Sequence, residues 1–153
     1  QLVDAVRYPP TGARGVGYSG ARCSRIGAIT DYGPTADDQI CLLIQVENRA
    51  GIANLDDILA VDGIDGVFIG PADLSADMGH MGQLTHPEVQ ATIKDAFQRI
   101  EAAGKAPGVL TTTPEFTQDV LDWGARFVAT GLDLLILAGA LRALSARWKD
   151  AAR

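Results

Sequence analysis

The stretch at 61–82, VDGIDGVFIGPADLSADMGHMG, decides the fold. Gly66-Val67-Phe68-Ile69 is a short apolar run of the length and composition of a buried strand, and Gly70-Pro71 stops it. Beyond that break the expectation is a short loop carrying Asp73 and Ser75. A strand that ends at Gly-Pro and delivers a carboxylate is how an α/β barrel places a functional group at a strand's C-terminal end. Upstream, a second apolar run, Cys41-Leu42-Leu43-Ile44, also ends in polar groups, Gln45 and Glu47. Two neighbouring strands that each end in a carboxylate point to a shared site for a hard divalent cation.

Working outward, the same alternation continues in both directions. Strands are expected at 40–46, 64–69, 106–110 and 126–129. Ile52, Leu55, Ile58 and Leu59 follow helical spacing. Thr85-His86-Pro87-Glu88 reads as a helix start, with Thr85 as cap, Pro87 in the first turn and Glu88 closing a capping box. Val89, Ile93, Phe97 and Ile100 then share one helical face. Thr113-Pro114 opens another helix, and a last one starts near Asp133 with Leu134, Leu137, Leu141, Leu144 and Trp148. The order β-α-β-α-β-α-β-α means parallel strands joined by right-handed crossovers. A complete (β/α)8 barrel needs eight such units over ~250 residues. The fold class expected is therefore α/β, the C-terminal half of a TIM barrel, with residues 1–153 as one partial-barrel domain. The first residues read as the end of a helix, so the N-terminal half of the barrel is expected to be absent.

Bulk properties narrow the function. The chain has 153 residues, 47% hydrophobic and 21% charged, which suits a globular domain with a real core. A net charge of −6 and an isoelectric point near 4.7 argue against a nucleic-acid surface. No apolar stretch approaches the ~20 residues of a membrane span. No signal-peptide pattern opens the chain, and Cys23 and Cys41 form no metal or redox motif, with Cys41 expected as a packed thiol. A reduced, cytoplasmic setting is the expectation.

Each candidate site residue has a plainer reading beside it. Glu47 and Asp73 either converge on a cation such as Mg²⁺ or Mn²⁺, or each caps a helix or pairs with an arginine such as Arg49. Gln45, two residues before Glu47, points to the same side of its strand. It either contacts substrate or satisfies backbone groups inside the barrel. Gly15-Val16-Gly17-Tyr18-Ser19-Gly20 matches GxGxxG, but Pro9-Pro10-Thr11-Gly12 precedes it instead of a strand, so it is rejected as a nucleotide loop. Its glycines are expected to let the backbone pass close to the site, and Arg14 beside them reads as a surface arginine. An imine-forming aldolase needs an inward lysine near a strand's C-terminal end. Lys94 and Lys149 lie on helices and Lys105 precedes a strand, so none qualifies. His86 reads as structural and His80 as an exposed loop histidine.

Gly66-Val67-Phe68-Ile69-Gly70-Pro71-Ala72-Asp73-Leu74-Ser75, followed by Gly79-His80, resembles the signature of the HpcH/HpaI family of class II pyruvate aldolases. Arg7-Tyr8-Pro9-Pro10, Gln45-Val46-Glu47, His86-Pro87-Glu88-Val89-Gln90, Gly104-Lys105-Ala106-Pro107-Gly108 and Gly124-Ala125-Arg126-Phe127-Val128-Ala129 agree in order and spacing. The chain looks most like the 4-hydroxy-2-oxoheptanedioate aldolase branch, which belongs to aromatic compound catabolism, with the sugar-acid branches also similar. The resemblance implies that Glu47 and Asp73 are metal ligands for Mg²⁺, Mn²⁺ or Co²⁺. It implies that Gln45 contacts the 2-oxo acid and that the backbone N–H groups of Ala72 and Asp73 hold its carboxylate. The implied reaction cleaves a 4-hydroxy-2-oxo acid to pyruvate and an aldehyde through a metal-stabilised enolate. The family's general-base histidine and transition-state arginine belong to the N-terminal half of the barrel, so no catalytic residue of that kind is expected here. The expectation is an aldolase that is crippled in this chain, in a homo-oligomer. The alternative is a non-catalytic half-barrel that binds metal and 2-oxo acid or assembles with another chain.

Overall fold

The computed structural model of the chain describes residues 1–151. Helix α1 (Leu2–Val6) leads into a loop held by two 3-10 turns, Tyr18–Gly20 and Arg22–Ser24, and then α2 (Tyr32–Gln39). Strand β1 (Leu43–Val46) is followed by α3 (Arg49–Ala53) and α4 (Leu55–Leu59). Strand β2 (Gly66–Ile69) is followed by α5 (Pro71–Asp77) and α6 (Pro87–Ala102). Strand β3 (Ala106–Leu110), α7 (Pro114–Asp122), β4 (Phe127–Ala129) and α8 (Asp133–Ala151) complete the order.

The strands pair β1-β2-β3-β4, all parallel, each beside its neighbour in sequence. A doubly wound sheet reverses direction at a switch point, whereas this unreversed order is that of a barrel wall. Gln45, Phe68, Gly108 and Phe127 stand in register across the sheet. The rings of Phe68 and Phe127 meet edge to face at 6.0 Å above Gly108. On the opposite face Val46, Val67, Ile69 and Val109 are buried with Leu55, Leu74, Val89, Ile93, Phe97 and Ile100. This face is the core, sealed by α6. Its apolar stripe falls on Val89, Ile93, Phe97 and Ile100 as the 3.6 periodicity requires, with Ala96 beside them. Each such side chain stabilises the fold by roughly 1.5–3 kcal/mol when buried.

Several local expectations are corrected. The segment after Gly70 is not a loop: Pro71 at the first helical position starts α5, so Asp73 and Ser75 are helical. Ser75 is fully buried and its hydroxyl donates to Ala72 O at 2.8 Å. The apolar run at 52–59 splits into α3 and α4 at Asn54, a residue that favours helix ends. The cap of α6 is His86, not Thr85. Its position before Pro87 gives it extended ψ, and Nδ1 accepts the Glu88 N–H at 3.3 Å. Residues 40–42 stay outside β1, where the Asp65 carboxylate takes the Leu42 N–H at 2.6 Å. Cys41 is exposed, not packed.

The loop before β1 also differs from expectation. A Cβ on Gly15, Gly17 or Gly20 would meet nothing within 4 Å, so these glycines make no close approach to another described part of the chain. Arg14 lies 4.5 Å over the Tyr8 ring and Nη2 donates to the Tyr32 hydroxyl at 3.3 Å. That hydrogen bond holds its guanidinium above the ordinary arginine range. Arg14 is therefore part of a Tyr8-Tyr18-Tyr32 cluster that fastens the loop, with ring centroids 5.8 and 5.6 Å apart.

Candidate active site

The site sits where β1 and β2 end. Val46 pairs with Ile69, and the Gly70 N–H donates to Val46 O at 3.0 Å, which carries the ladder one step further. Glu47 thus lies across from Gly70. Gln45 Nε2 donates to Glu47 Oε2, so the amide and carboxylate act as one unit on the open side of the strand. A Cβ on Gly70 would lie 2.7 Å from Glu47 Cβ, 2.8 Å from Oε2 and 3.0 Å from Gln45 Nε2. Only glycine lets the β2–α5 turn close onto this pair.

Asp73 stands in the first turn of α5, two residues after Pro71. A carboxylate there is favoured by the helix dipole. The cap position is Gly70, which has no side chain, so no side-chain cap competes for the first-turn amides at Ala72 and Asp73.

The arginine pairing does not form at either carboxylate. Arg49 pairs with Asp77, not with Glu47 or Asp73. Asp77 Oδ2 accepts the Arg49 N–H at 2.8 Å and Nε–H at 3.2 Å. The cap of α3 is Asn48, whose Oδ1 accepts the Gly51 N–H at 2.7 Å. Among the described residues, neither Glu47 nor Asp73 forms a salt bridge. Carboxylate oxygens without a protein cation beside them are donors of the kind a hard divalent ion takes. The cradle at Gly70, which a Cβ would fill, fits that role.

The lysines agree with the sequence. Lys105 Nζ donates to Ile64 O at 2.7 Å, at the end of β2 away from Gly70. Lys94 sits over the Trp123 ring on the outer side of α6.

Sequence reasoning missed one grouping. His80, read as an exposed loop residue, is half-buried and stacks on His86 with centroids 3.6 Å apart. Its Nε2 lies 2.9 Å from Glu88 Oε2. Through that bond and the imidazole charge, His80 holds the Glu88 carboxyl below its usual range. The signal was the spacing of His80 and His86-Pro87-Glu88 about a glycine-rich turn.

With this geometry in place, comparison with known proteins is specific. Over 150 residues the chain is 57% identical to the hydroxypyruvate/pyruvate aldolase of Roseobacter denitrificans, covering 98% of this chain and 59% of that protein. It is 55% identical over 146 residues to the 4-hydroxy-2-oxo-heptane-1,7-dioate aldolase of Klebsiella pneumoniae, covering 95% and 55%. The chain therefore spans little more than half the length of these relatives. Among solved structures, an HpcH/HpaI aldolase/citrate lyase family protein from Burkholderia cenocepacia superposes with a TM-score of 0.87 at 30% identity, over 96% of this chain and 58% of that one. An HpcH/HpaI aldolase from Desulfitobacterium hafniense gives 0.78 at 28% identity, over 98% and 57%. The profile of HpcH/HpaI aldolase/citrate lyase matches residues 1–140, and the chain belongs to that family.

Proposed function

We propose that this chain carries the cation and 2-oxo-acid side of a metal-dependent aldolase site. The observation that carries the reading is the Gln45–Glu47 pair fitted against Gly70 at the ends of β1 and β2, with Asp73 on the helix that starts there. Glu47 and Asp73 would hold Mg²⁺, Mn²⁺ or Co²⁺. The ion supplies positive charge against the negative charge that develops on the keto oxygen as the carbon–carbon bond breaks.

The remaining work falls to the chain's own groups. Gln45 Nε2 orients Glu47 and borders the position of the 2-oxo acid. The amides of Ala72 and Asp73, at the positive end of α5, face the substrate carboxylate. Cleavage of a 4-hydroxy-2-oxo acid removes the 4-hydroxyl proton and releases an aldehyde. The electron pair left at C3 is delocalised to the keto oxygen and then protonated to give the methyl of pyruvate. The base for that proton transfer is not among the groups assembled here. Low turnover by these 153 residues alone follows. The names of the relatives support pyruvate or hydroxypyruvate as the 2-oxo acid partner of an aldehyde. A cytoplasmic, homo-oligomeric enzyme fits the acidic composition and the apolar surface of α8.

The second reading, a half-barrel that binds metal and 2-oxo acid or assembles with another chain, is favoured by the exposure of Phe127 on the open sheet face.

Calorimetric titration of Mn²⁺ with pyruvate tests the site. Glu47→Gln and Asp73→Asn are each expected to weaken Mn²⁺ by at least about 10–100-fold, the loss seen even for outer partners of metal ligands. Unchanged Mn²⁺ affinity in both variants sinks the assignment. Retro-aldol turnover matching that of a complete barrel sinks the expectation of low activity. Pyruvate binding without turnover selects the binding module.

A further inference from the structure

We propose that His80, His86 and Glu88 form a second metal site, for a borderline transition ion such as Zn²⁺, separate from the carboxylate pair at Gly70. One donor atom from each of the three residues lies within 4.8 Å of the others. That span is wider than the roughly 3.3–3.6 Å between donors on a tetrahedral ion with Zn–N and Zn–O of about 2.0–2.2 Å, so the three groups must draw together as the ion binds.

The backbone fixes this convergence. The His80 N–H donates to Ser75 O at 2.7 Å, the Gln83 N–H to His80 O at 2.9 Å and the His86 N–H to Gln83 O at 3.0 Å. Gly79 and Gly82 take φ of 86° and 75°, so the turn reverses twice within the loop. His86 then caps α6 and Glu88 follows in its first turn. The side chains are delivered by a closed loop, not by chance contact of mobile groups.

The donor chemistry separates this group from the first site. Two imidazole nitrogens and one carboxylate oxygen, with a fourth position open to water, are a zinc-type set. Nitrogen ligands follow the Irving–Williams order, whereas an oxygen pair suits Mg²⁺ or Mn²⁺. One rearrangement is required. Each imidazole binds an ion in its own ring plane, and the two rings lie 17° from parallel. His86 has the weaker tether, the 3.3 Å contact from the Glu88 N–H, so it is the ring that turns. The 2.9 Å His80–Glu88 contact is replaced by both groups on the ion. Glu88 brings its carboxylate to the group from the first turn of α6. Its charge also offsets the unfavourable placing of a cation at a helix start. The bound ion would fasten the loop after α5 to the start of α6. It would brace the helix that carries Asp73 without touching the 2-oxo-acid position.

The test uses the 153-residue chain with Cys23→Ser, Cys41→Ser, Glu47→Gln and Asp73→Asn, which removes the exposed thiols and the first site. Calorimetry with Zn²⁺ is expected to give one equivalent. Electron paramagnetic resonance of the Cu²⁺ form is expected to show coupling to two imidazole nitrogens. His80→Gln, which leaves the α6 cap in place, and His86→Ala should each weaken Zn²⁺ by about tenfold or more. Zn²⁺ binding that is absent, or unchanged in both histidine variants, overturns the proposal. So does a Cu²⁺ spectrum without two nitrogens. None of these results bears on the Mn²⁺ and pyruvate titration, so the two sites stand or fall separately.

Discussion

A Cβ added to Gly70 would meet Glu47 Cβ at 2.7 Å, Glu47 Oε2 at 2.8 Å and Gln45 Nε2 at 3.0 Å. The backbone itself would tolerate it, since φ is −89° and lies in the ordinary extended region. The cost of Gly70→Ala is therefore crowding, about 1–3 kcal/mol by analogy with overpacked cores. Glu47 and Gln45 must move to make room, so Mn²⁺ affinity should fall together with stability. Denaturant midpoints and a Mn²⁺ titration on the same protein check this. Unchanged values for both would show that Glu47 does not depend on the empty space at Gly70. The sequence marked Gly70-Pro71 as a stop, because that dipeptide breaks any strand. It could not mark Gly70 as the wall of a carboxylate site, because that contact is made by Glu47, just past the end of β1.

Among the elements, α3 and α5 carry the two flanks of the site, and Asp77 ties them together. Its carboxylate, on the last residue of α5, accepts the first N–H and the side-chain Nε–H of α3 at Arg49. The Arg49 N–H, more than the side chain, holds the Asp77 carboxyl below its usual range. A group whose folded pKa is depressed stabilises the fold above its unfolded value, about 3.9 for Asp. That contribution fades as pH falls through the lower folded value. Asp77→Ala should therefore be less stable than the parent at neutral pH, with the gap closing as the solution is acidified below about pH 4. Urea midpoints over that range decide it, and a gap that stays constant with pH would exclude the carboxylate as its source. Strong periodicity made α6 legible, because Val89, Ile93, Phe97 and Ile100 are all buried against the sheet. Where a local contact intervenes, legibility fails: the backbone breaks at Asn54 between α3 and α4, Asp65 takes the Leu42 N–H ahead of β1, and His86 displaces Thr85 as cap. Each of these is a tertiary or cap contact that no periodic pattern encodes.

On the scale of the molecule, two surfaces lack the cover that the core receives. The sheet runs β1-β2-β3-β4 with β1 and β4 each paired on one side among the described residues, and a closed barrel has no such edges. Helix α8 is apolar along Leu134, Leu137, Leu141, Leu144 and Trp148, the spacing of one helical stripe. Yet Leu134 is 74% exposed, Ile136 68% and Trp148 61%. An apolar stripe normally faces a core, and large exposed patches mark association surfaces. The chain is therefore expected to associate through α8, as the homo-oligomer reading requires. Leu137→Glu with Leu141→Glu places two charges in that stripe while leaving the buried core untouched. Sedimentation should show the parent above monomer mass and the double variant at monomer mass. Trp148 emission should shift to shorter wavelength with concentration in the parent alone, because only there does the indole leave water. Thermal midpoints of the dilute proteins should agree, since among the described residues α8 contributes none to the buried core. A parent chain that stays monomeric as concentration rises, with unshifted Trp148 emission, would mean that α8 has no self-partner and would leave another polypeptide as its cover.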